Sequence, residues 1–197
     1  MEICCECWEV TPLAPPRLIR HCPGCNATRP FVCAGTFRVN AQKKTLDAWL
    51  NYRCERCGSA WKGPIVERRP VGRVDPLLLE AFFRHDPIVA RQLAFDLPLL
   101  RRQKVPTEAS TEVTVRRATI AAAVDDVAPL CIRLSVPYAC TIRLDQLLAR
   151  QLGLSRAALR NLQAQGEINV SPENDRALRA AICDGQRIWI GAPQLAN

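Results

Sequence analysis

The sequence predicts an α+β protein, and three observations carry that expectation. Two Cys-x-x-Cys pairs, Cys22-Pro-Gly-Cys25 and Cys54-Glu-Arg-Cys57, bracket an alternating apolar stretch in the N-terminal third. Two matched Asp-Pro helix starts follow at Asp75-Pro76 and Asp86-Pro87. Residues 142 to 190 then read as helix, tight turn, helix, strand, loop, strand. The expected architecture is a ribbon with a small antiparallel sheet at residues 1–70, a helical hairpin packed on it at 71–105, and a C-terminal domain of two helices plus strands at 112–197.

The cysteine pairs come first because a Cys-x-x-Cys turn aims two thiolates at one ion, and two such turns supply four soft sulfur ligands. Cys22, Cys25, Cys54 and Cys57 are therefore the expected ligands of one tetrahedral zinc ion, making the N-terminal part a zinc ribbon. Asn26 and Gly58, which follow the second cysteine of each pair, are residue types that readily take the left-handed backbone closing such a knuckle. The spacer of 28 residues between the pairs must hold structure of its own. Phe31, Cys33, Phe37 and Val39 alternate along one strand, residues 40–44 form a polar turn, and Thr45 to Arg53 return with Leu46, Ala48, Leu50 and Tyr52. A third strand is expected at Ile65 to Arg68. The competing reading of the same residues is four reduced core cysteines.

Upstream, Cys4, Cys5 and Cys7 precede a proline-containing run that favours extended backbone. Cys4 and Cys7 have ligand spacing, but only Cys33 or His21 could complete a second metal set, so packed or accessible thiols are expected there. Downstream, Leu78 with Phe82, and Val89 with Leu93 and Leu97, recur at helical spacing as core positions, while His85 between the two helices caps or faces solvent. Residues 101–111 are polar, charged and interrupted by Pro106, which marks a boundary. Strands are expected at Glu112 to Arg117 and Leu130 to Val136, with Asp125-Asp126 in a turn between them.

In the C-terminal module Leu144, Leu147 and Leu148 form the apolar stripe of the first helix, which Gly153 closes. Ser155 caps the second helix, whose Leu159 and Leu162 face the core. Arg156, Arg160 and Gln163 then lie on one exposed ridge, and Arg143 and Arg150 are seven apart on the first helix. Arg143-Leu144-Asp145, Ser155-Arg156 and Gly166-Glu-Ile-Asn-Val170 resemble the RNA-binding domain first seen in bacterial small-subunit ribosomal protein four, with Asp184-Gly185 reversing that family's Gly-Asp. The resemblance implies that Arg143, Arg150, Arg156 and Arg160 meet structured RNA of the ribosomal or transfer class, with Ser155 and Gln163 beside them. The stretches Phe37-Arg-Val-Asn-Ala-Gln-Lys-Lys44 and Trp49-Leu-Asn-Tyr-Arg-Cys54 make the chain similar to the bacterial family known as domain of unknown function 1062. That similarity implies no activity.

Composition bounds the remaining possibilities. The chain is 48% apolar without an apolar run near 18 residues, which argues against a membrane span. Acidic residues stand near the N-terminus where a signal peptide carries bases, and 11 cysteines then read as metal ligands and buried thiols of a reducing cytoplasm. The net charge of +8 is uneven: +5 over residues 1–70, zero over 71–131 and +3 over 132–197, so polyanion contact is expected of the end modules. The expected function is a non-enzymatic, zinc-containing RNA-binding protein. One alternative places Arg38, Lys43, Lys44 and Arg56 of the ribbon against DNA or a transcription complex, with the C-terminal module as a protein-interaction piece. Another is a thiol-based redox protein using Cys4 and Cys7. No phosphate-cradling glycine loop or nucleophile elbow argues for other catalysis.

Overall fold

A computed structural model of the chain describes residues 4–42, 44–121, 129–138, 140–172 and 176–191. The expected Asp125-Asp126 turn, Lys43 and the Cys4 side chain lie outside the described residues. The chain forms two compact units, one made of Met1–Leu13 with Ser110–Asn197 and the other of Ala14–Ala109. The second unit is thus inserted into the first, and the N-terminal residues belong with the C-terminal ones.

The inserted unit is built on one antiparallel five-stranded sheet. After β1 (Cys4–Pro12), which belongs to the other unit, come β2 (Arg17–Cys22), β3 (Ala27–Gln42), β4 (Thr45–Cys54) and β5 (Ala60–Pro70). A short β6 (Thr107–Glu108) pairs with β2, giving the order β5-β4-β3-β2-β6. In β4, Leu46, Ala48, Leu50, Tyr52 and Cys54 are buried while the residues between them are more exposed, the period-two pattern of a strand with one covered face. Three short helices follow the sheet: α1 (Pro76–Arg84), α2 (Pro87–Phe95) and α3 (Leu97–Arg102). Each starts on an aspartate whose carboxylate accepts backbone amides, Asp75 from Leu77, Asp86 from Ile88 and Val89, and Asp96 from Leu99. Phe82 of α1 is fully buried with its ring 4.9 Å from that of Phe37 on β3. His85 caps α1 in a left-handed conformation, and its Nδ1 accepts the Phe37 amide at 3.1 Å, just after the register shift between Cys33 and Phe37.

The other unit is a mixed sheet in the order β7-β1-β8-β10-β9, completed by β7 (Val113–Ala121), β8 (Leu130–Ser135), β9 (Ile168–Ser171) and β10 (Arg187–Ile190). β1 runs antiparallel to β7 and parallel to β8. Trp8 and Val10 of β1 are fully buried in a core shared with Ile132, Ile188 and the helices α4 (Leu144–Leu152) and α5 (Arg156–Ala164). Leu144, Leu147, Leu148 and Leu159 supply the helical side of that core.

The α+β class expected from the sequence, a small ribbon sheet with a helical hairpin followed by a two-helix module with strands, is therefore overturned. The chain is mostly β, two five-stranded sheets dressed with helices of six to nine residues. The physical reason lies in the first two strands. β1 is Cys-Cys-Glu-Cys-Trp-Glu-Val-Thr-Pro and β2 is Arg-Leu-Ile-Arg-His-Cys, so few β-branched residues announce them. Their pairing is also non-local: Trp8 stands opposite Arg117, a partner no sequence periodicity reveals. Among the described residues no helix is long and apolar enough to cross a membrane.

Candidate metal centre

The four cysteines occupy equivalent places in two hairpins. Cys22 ends β2 and Cys25 lies in the turn to β3; Cys54 ends β4 and Cys57 lies in the turn to β5. In the first turn the amides of Cys25 and Asn26 donate to the carbonyls of Cys22 and Pro23, at 3.2 and 3.4 Å. In the second the Gly58 amide donates to the Cys54 carbonyl at 2.9 Å, and the Cys54 amide to the Ser59 carbonyl at 2.9 Å. Asn26 and Gly58 have φ of 48° and 74°, the left-handed closure expected of them. The turns sit together because the strands do: Cys54 is the register partner of Phe31 on β3, and the Glu55 amide donates to Pro30 at 3.0 Å.

Four sulfurs converge as a result. Cys22 Sγ lies 3.4 Å from Cys57 Sγ, Cys25 Sγ lies 3.9 Å from Cys54 Sγ, and all four fall within 4.8 Å of one another. A tetrahedral ion with metal–sulfur bonds of about 2.3 Å places its sulfurs about 3.8 Å apart, so the spacing suits a single four-coordinate ion. A disulfide needs about 2.05 Å, and all four thiols are free. Among the described residues this is the one group of three or more histidine, cysteine, aspartate or glutamate side chains placed to hold a metal. Four close cysteines are compatible with a metal ion or a redox role.

The thiols are chemically unequal. Hydrogen bonds from the Ser59 side chain and backbone, followed by those of Cys22 and Cys25, bring Cys57 down to about 6. The Ser59 hydroxyl stands 3.0 Å from its sulfur. Cys54 is also lowered, chiefly by the backbone amide of Cys57. Cys25 is pushed up to about 12, first by its hydrogen bond with Cys57 and then by burial. The metal-free cluster therefore holds both ionised and protonated sulfur near neutrality, and a cation that replaces the retained protons relieves the crowding of negative charge.

Gly24 is a part of this site that the spacing rule did not single out. A Cβ there would run into the Ser59 hydroxyl and come within 3.1 Å of Cys57 Sγ. The first knuckle can approach the second only because position 24 carries no side chain.

Among the described residues the remaining cysteines do not join the cluster. Cys33, on β3, has its thiol pushed up by burial and accepts the Gly35 amide at 3.4 Å. Cys7 lies on β1 in the other unit, whereas His21 and Cys33, the two residues considered as partners for it, belong to the inserted unit. Cys5 is the register partner of Cys131.

A family model described as protein of unknown function (DUF1062) matches residues 39–174. The chain belongs to that family. The matched span takes in the second knuckle, with Cys54 and Cys57, and begins after Cys22 and Cys25. No curated protein and no solved structure matches the chain.

The residues expected to face RNA are dispersed over the two helices of the other unit. Arg143 precedes α4 and is held by Asp145, with 2.6 Å between guanidinium and carboxylate. Arg150 is exposed in the last turn of α4, and Ser155 caps α5 by accepting the Ala158 amide at 3.0 Å. Arg156 is exposed on the first turn of α5. Arg160 and Gln163 line a pocket of about 290 Å³ together with Asp145, Arg176, Leu178 and Arg179, and the other four do not line it. Sequence reasoning missed Arg176 and Arg179, whose place beside α5 depends on the burial of Ala177 and Leu178 between them.

Proposed function

We propose that this DUF1062 chain is a non-enzymatic zinc-containing protein whose ion staples the inserted unit. The observation that carries the reading is the convergence of four free sulfurs within 4.8 Å from two strand-end turns. Cys22, Cys25, Cys54 and Cys57 would hold the ion, and a closed set of four thiolates suits a structural zinc rather than a catalytic one, which keeps an open position. Bound there, zinc supplies no reaction; it ties the β2–β3 hairpin to the β4–β5 hairpin and adds coordination energy to folding. Metal analysis of the purified protein should find one zinc per chain, and Cys54→Ser should lose it while Cys140→Ala keeps it. Stoichiometric iron, or no metal at all, would remove the zinc assignment.

RNA docking by the helical face of the other unit is the activity the reading adds. It is supported by the exposed Arg150, Arg156 and Arg160 on α4 and α5, by the +3 balance of residues 132–197, and by the resemblance of residues 142–190 to the ribosomal-protein domain. Arg143 enters with part of its charge committed to Asp145. Removing one phosphate-binding cation flattens the plot of log affinity against log salt by about 0.7 to 0.9. Arg156→Ala with Arg160→Ala should therefore flatten it by well over one unit on structured RNA while leaving the fold intact. The ribbon alternative rests on Arg38, Lys44 and Arg56, which are exposed on the inserted unit. An unchanged slope in the double variant, with loss of DNA or RNA binding in Arg56→Ala, would favour it.

A further inference from the structure

The pocket beside α5 is a concavity that neither Arg150 nor Arg156 lines, and its cations come from α5 and from a separate turn. Arg160 and Gln163 come from successive turns of α5, while Arg176 precedes and Arg179 ends a short 3-10 turn, Ala177–Arg179. That turn is anchored: Ala177 and Leu178 are buried at 3% and 2% exposure. The Arg179 and Ala180 amides donate to the Arg176 carbonyl at 2.8 and 3.0 Å, and the Leu144 amide donates to Ala180 at 3.0 Å. The backbone carrying the arginines is thus fixed against the start of α4 before any ligand arrives, which lowers the ordering cost of binding.

Charge and size then select the ligand. Among the described residues the lining carries three arginines and one acid, Asp145; Arg176 is already engaged elsewhere, and Asp145 is matched by Arg143 at 2.6 Å through one oxygen while its other, buried oxygen has no hydrogen-bond partner. Among the described residues, neither Arg160 nor Arg179 is in an ion pair. The lining therefore has a surplus of positive charge in a concavity, where planar guanidinium forks bind phosphate oxygens in pairs. An internal phosphodiester has one charge and two free oxygens and lies along a ridge. A phosphate monoester carries about −1.5 to −2 near pH 7 and three free oxygens, and so can be approached from several walls at once. A volume of about 290 Å³ holds such a group with the sugar attached to it.

We infer that the pocket between α5 and the Ala177–Arg179 turn binds a phosphate monoester, of which a terminal phosphate on a nucleic-acid strand and a small phosphorylated sugar are the two sources. Arg160 is shared with the proposed RNA face, whereas Arg179 belongs to the pocket and Arg156 to that face, so those two residues separate the readings.

The test uses the full chain with its metal. Binding is measured for one RNA oligonucleotide bearing either a 5′-phosphate or a 5′-hydroxyl, and for ribose 5-phosphate alone, against wild type, Arg179→Ala, Arg179→Lys and Arg156→Ala. The terminal phosphate should tighten binding at least about tenfold. Arg179→Ala should abolish that advantage, Arg179→Lys should restore part of it, and Arg156→Ala should keep it. Arg179 is exposed, so unchanged melting temperatures should confirm that folding is spared. If ribose 5-phosphate competes as well as the phosphorylated strand, the small sugar phosphate is the source; if only the strand binds, its end is. Equal binding of the two strands together with no response to ribose 5-phosphate at millimolar concentration would overturn the inference while leaving ridge docking intact. Ribose 5-phosphate binding without affinity for the hydroxyl strand would sustain the pocket and remove the ridge.

Discussion

Replacing Gly24 by alanine separates a site built by close approach from four cysteines that merely lie near one another. The added methyl meets the Ser59 hydroxyl, comes within 3.1 Å of Cys57 Sγ and stands 3.7 Å from Ser59 Cβ. Ser59 must rotate away, which gives up its 3.0 Å hydrogen bond to Cys57, and the Cys57 sulfur must retreat by several tenths of an ångström. Overpacking of this kind costs about 1–3 kcal/mol, and at about 1.4 kcal/mol per decade that weakens metal binding roughly 5- to 150-fold. Competition with a chromophoric chelator at fixed pH reads the affinity directly. Adding Ser59→Ala to Gly24→Ala removes the worse of the two clashes and leaves the 3.1 Å one, so the double variant should recover part of the loss. Wild-type zinc affinity in Gly24→Ala would refute the idea that the two knuckles close on one ion as placed here.

Further outcomes follow from the thiols and from the topology. In metal-free protein, alkylation of Cys57 should rise through a midpoint near pH 6 instead of the ordinary 9.0, and Ser59→Ala should move that midpoint upward. The stability Cys57 gives the metal-free fold, because its value is lowered, is fully present above about pH 9 and is lost as pH falls towards 6. Cys25, raised to about 12, behaves oppositely, contributing below about 9 and losing that contribution as pH climbs towards 12; denaturation midpoints of Cys57→Ser and Cys25→Ser across pH check both signs. Chelating the metal should speed hydrogen exchange in β1 and β7 as well as in the inserted unit; exchange confined to residues 14–109 would show that the two units unfold independently.

The clustering of the four cysteines was largely legible because it is specified locally. A Cys-x-x-Cys turn followed by Asn26 or Gly58 specifies both the paired cysteines and the backbone that presents them, and β4, which leads into the second turn, shows clean alternation from Leu46 to Tyr52. Gly24 was not legible, since its need for a bare Cα arises from Ser59 and Cys57, residues brought to it only by the sheet. The helix starts at Asp75 and Asp86 were legible for the same local reason, and Asp96-Leu97-Pro98 is a third of the same kind that went unread. The strands β1 and β2 were hidden by their composition, and with them the true balance of the fold. Trp8 and Val10 bury completely, yet their partners are more than a hundred residues away in β7 and β8. The exposure of Arg150, Arg156 and Arg160 was legible as spacing on helices, whereas the pocket was not, because Arg179 reaches it from a turn whose position depends on the packing of Leu178.

The insertion explains why a metal in one unit can matter to the other without any reaction passing between them. β1 and β7 pair up to Pro12 and Val113, and the Leu13 amide donates to Glu112 at 3.0 Å, so their ends must meet across the whole of Ala14–Ala109. If that segment is unfolded, closing a loop of roughly 100 residues is required before the first β1–β7 bond forms. If it is folded, its own ends are already side by side, because Leu18 pairs with Thr107 and Arg17 meets Glu108 at 3.0 Å. The effective loop then shrinks to a few residues, and by the (3/2)RT ln n rule the difference in closure cost is about 3 kcal/mol. That is a large share of the stability of a small domain, about 5–15 kcal/mol. A metal bound at the cysteine cluster would, by holding the inserted unit folded, lower the cost of assembling the sheet that carries α4 and α5, and so couple the cysteines to the helical arginines through chain connectivity.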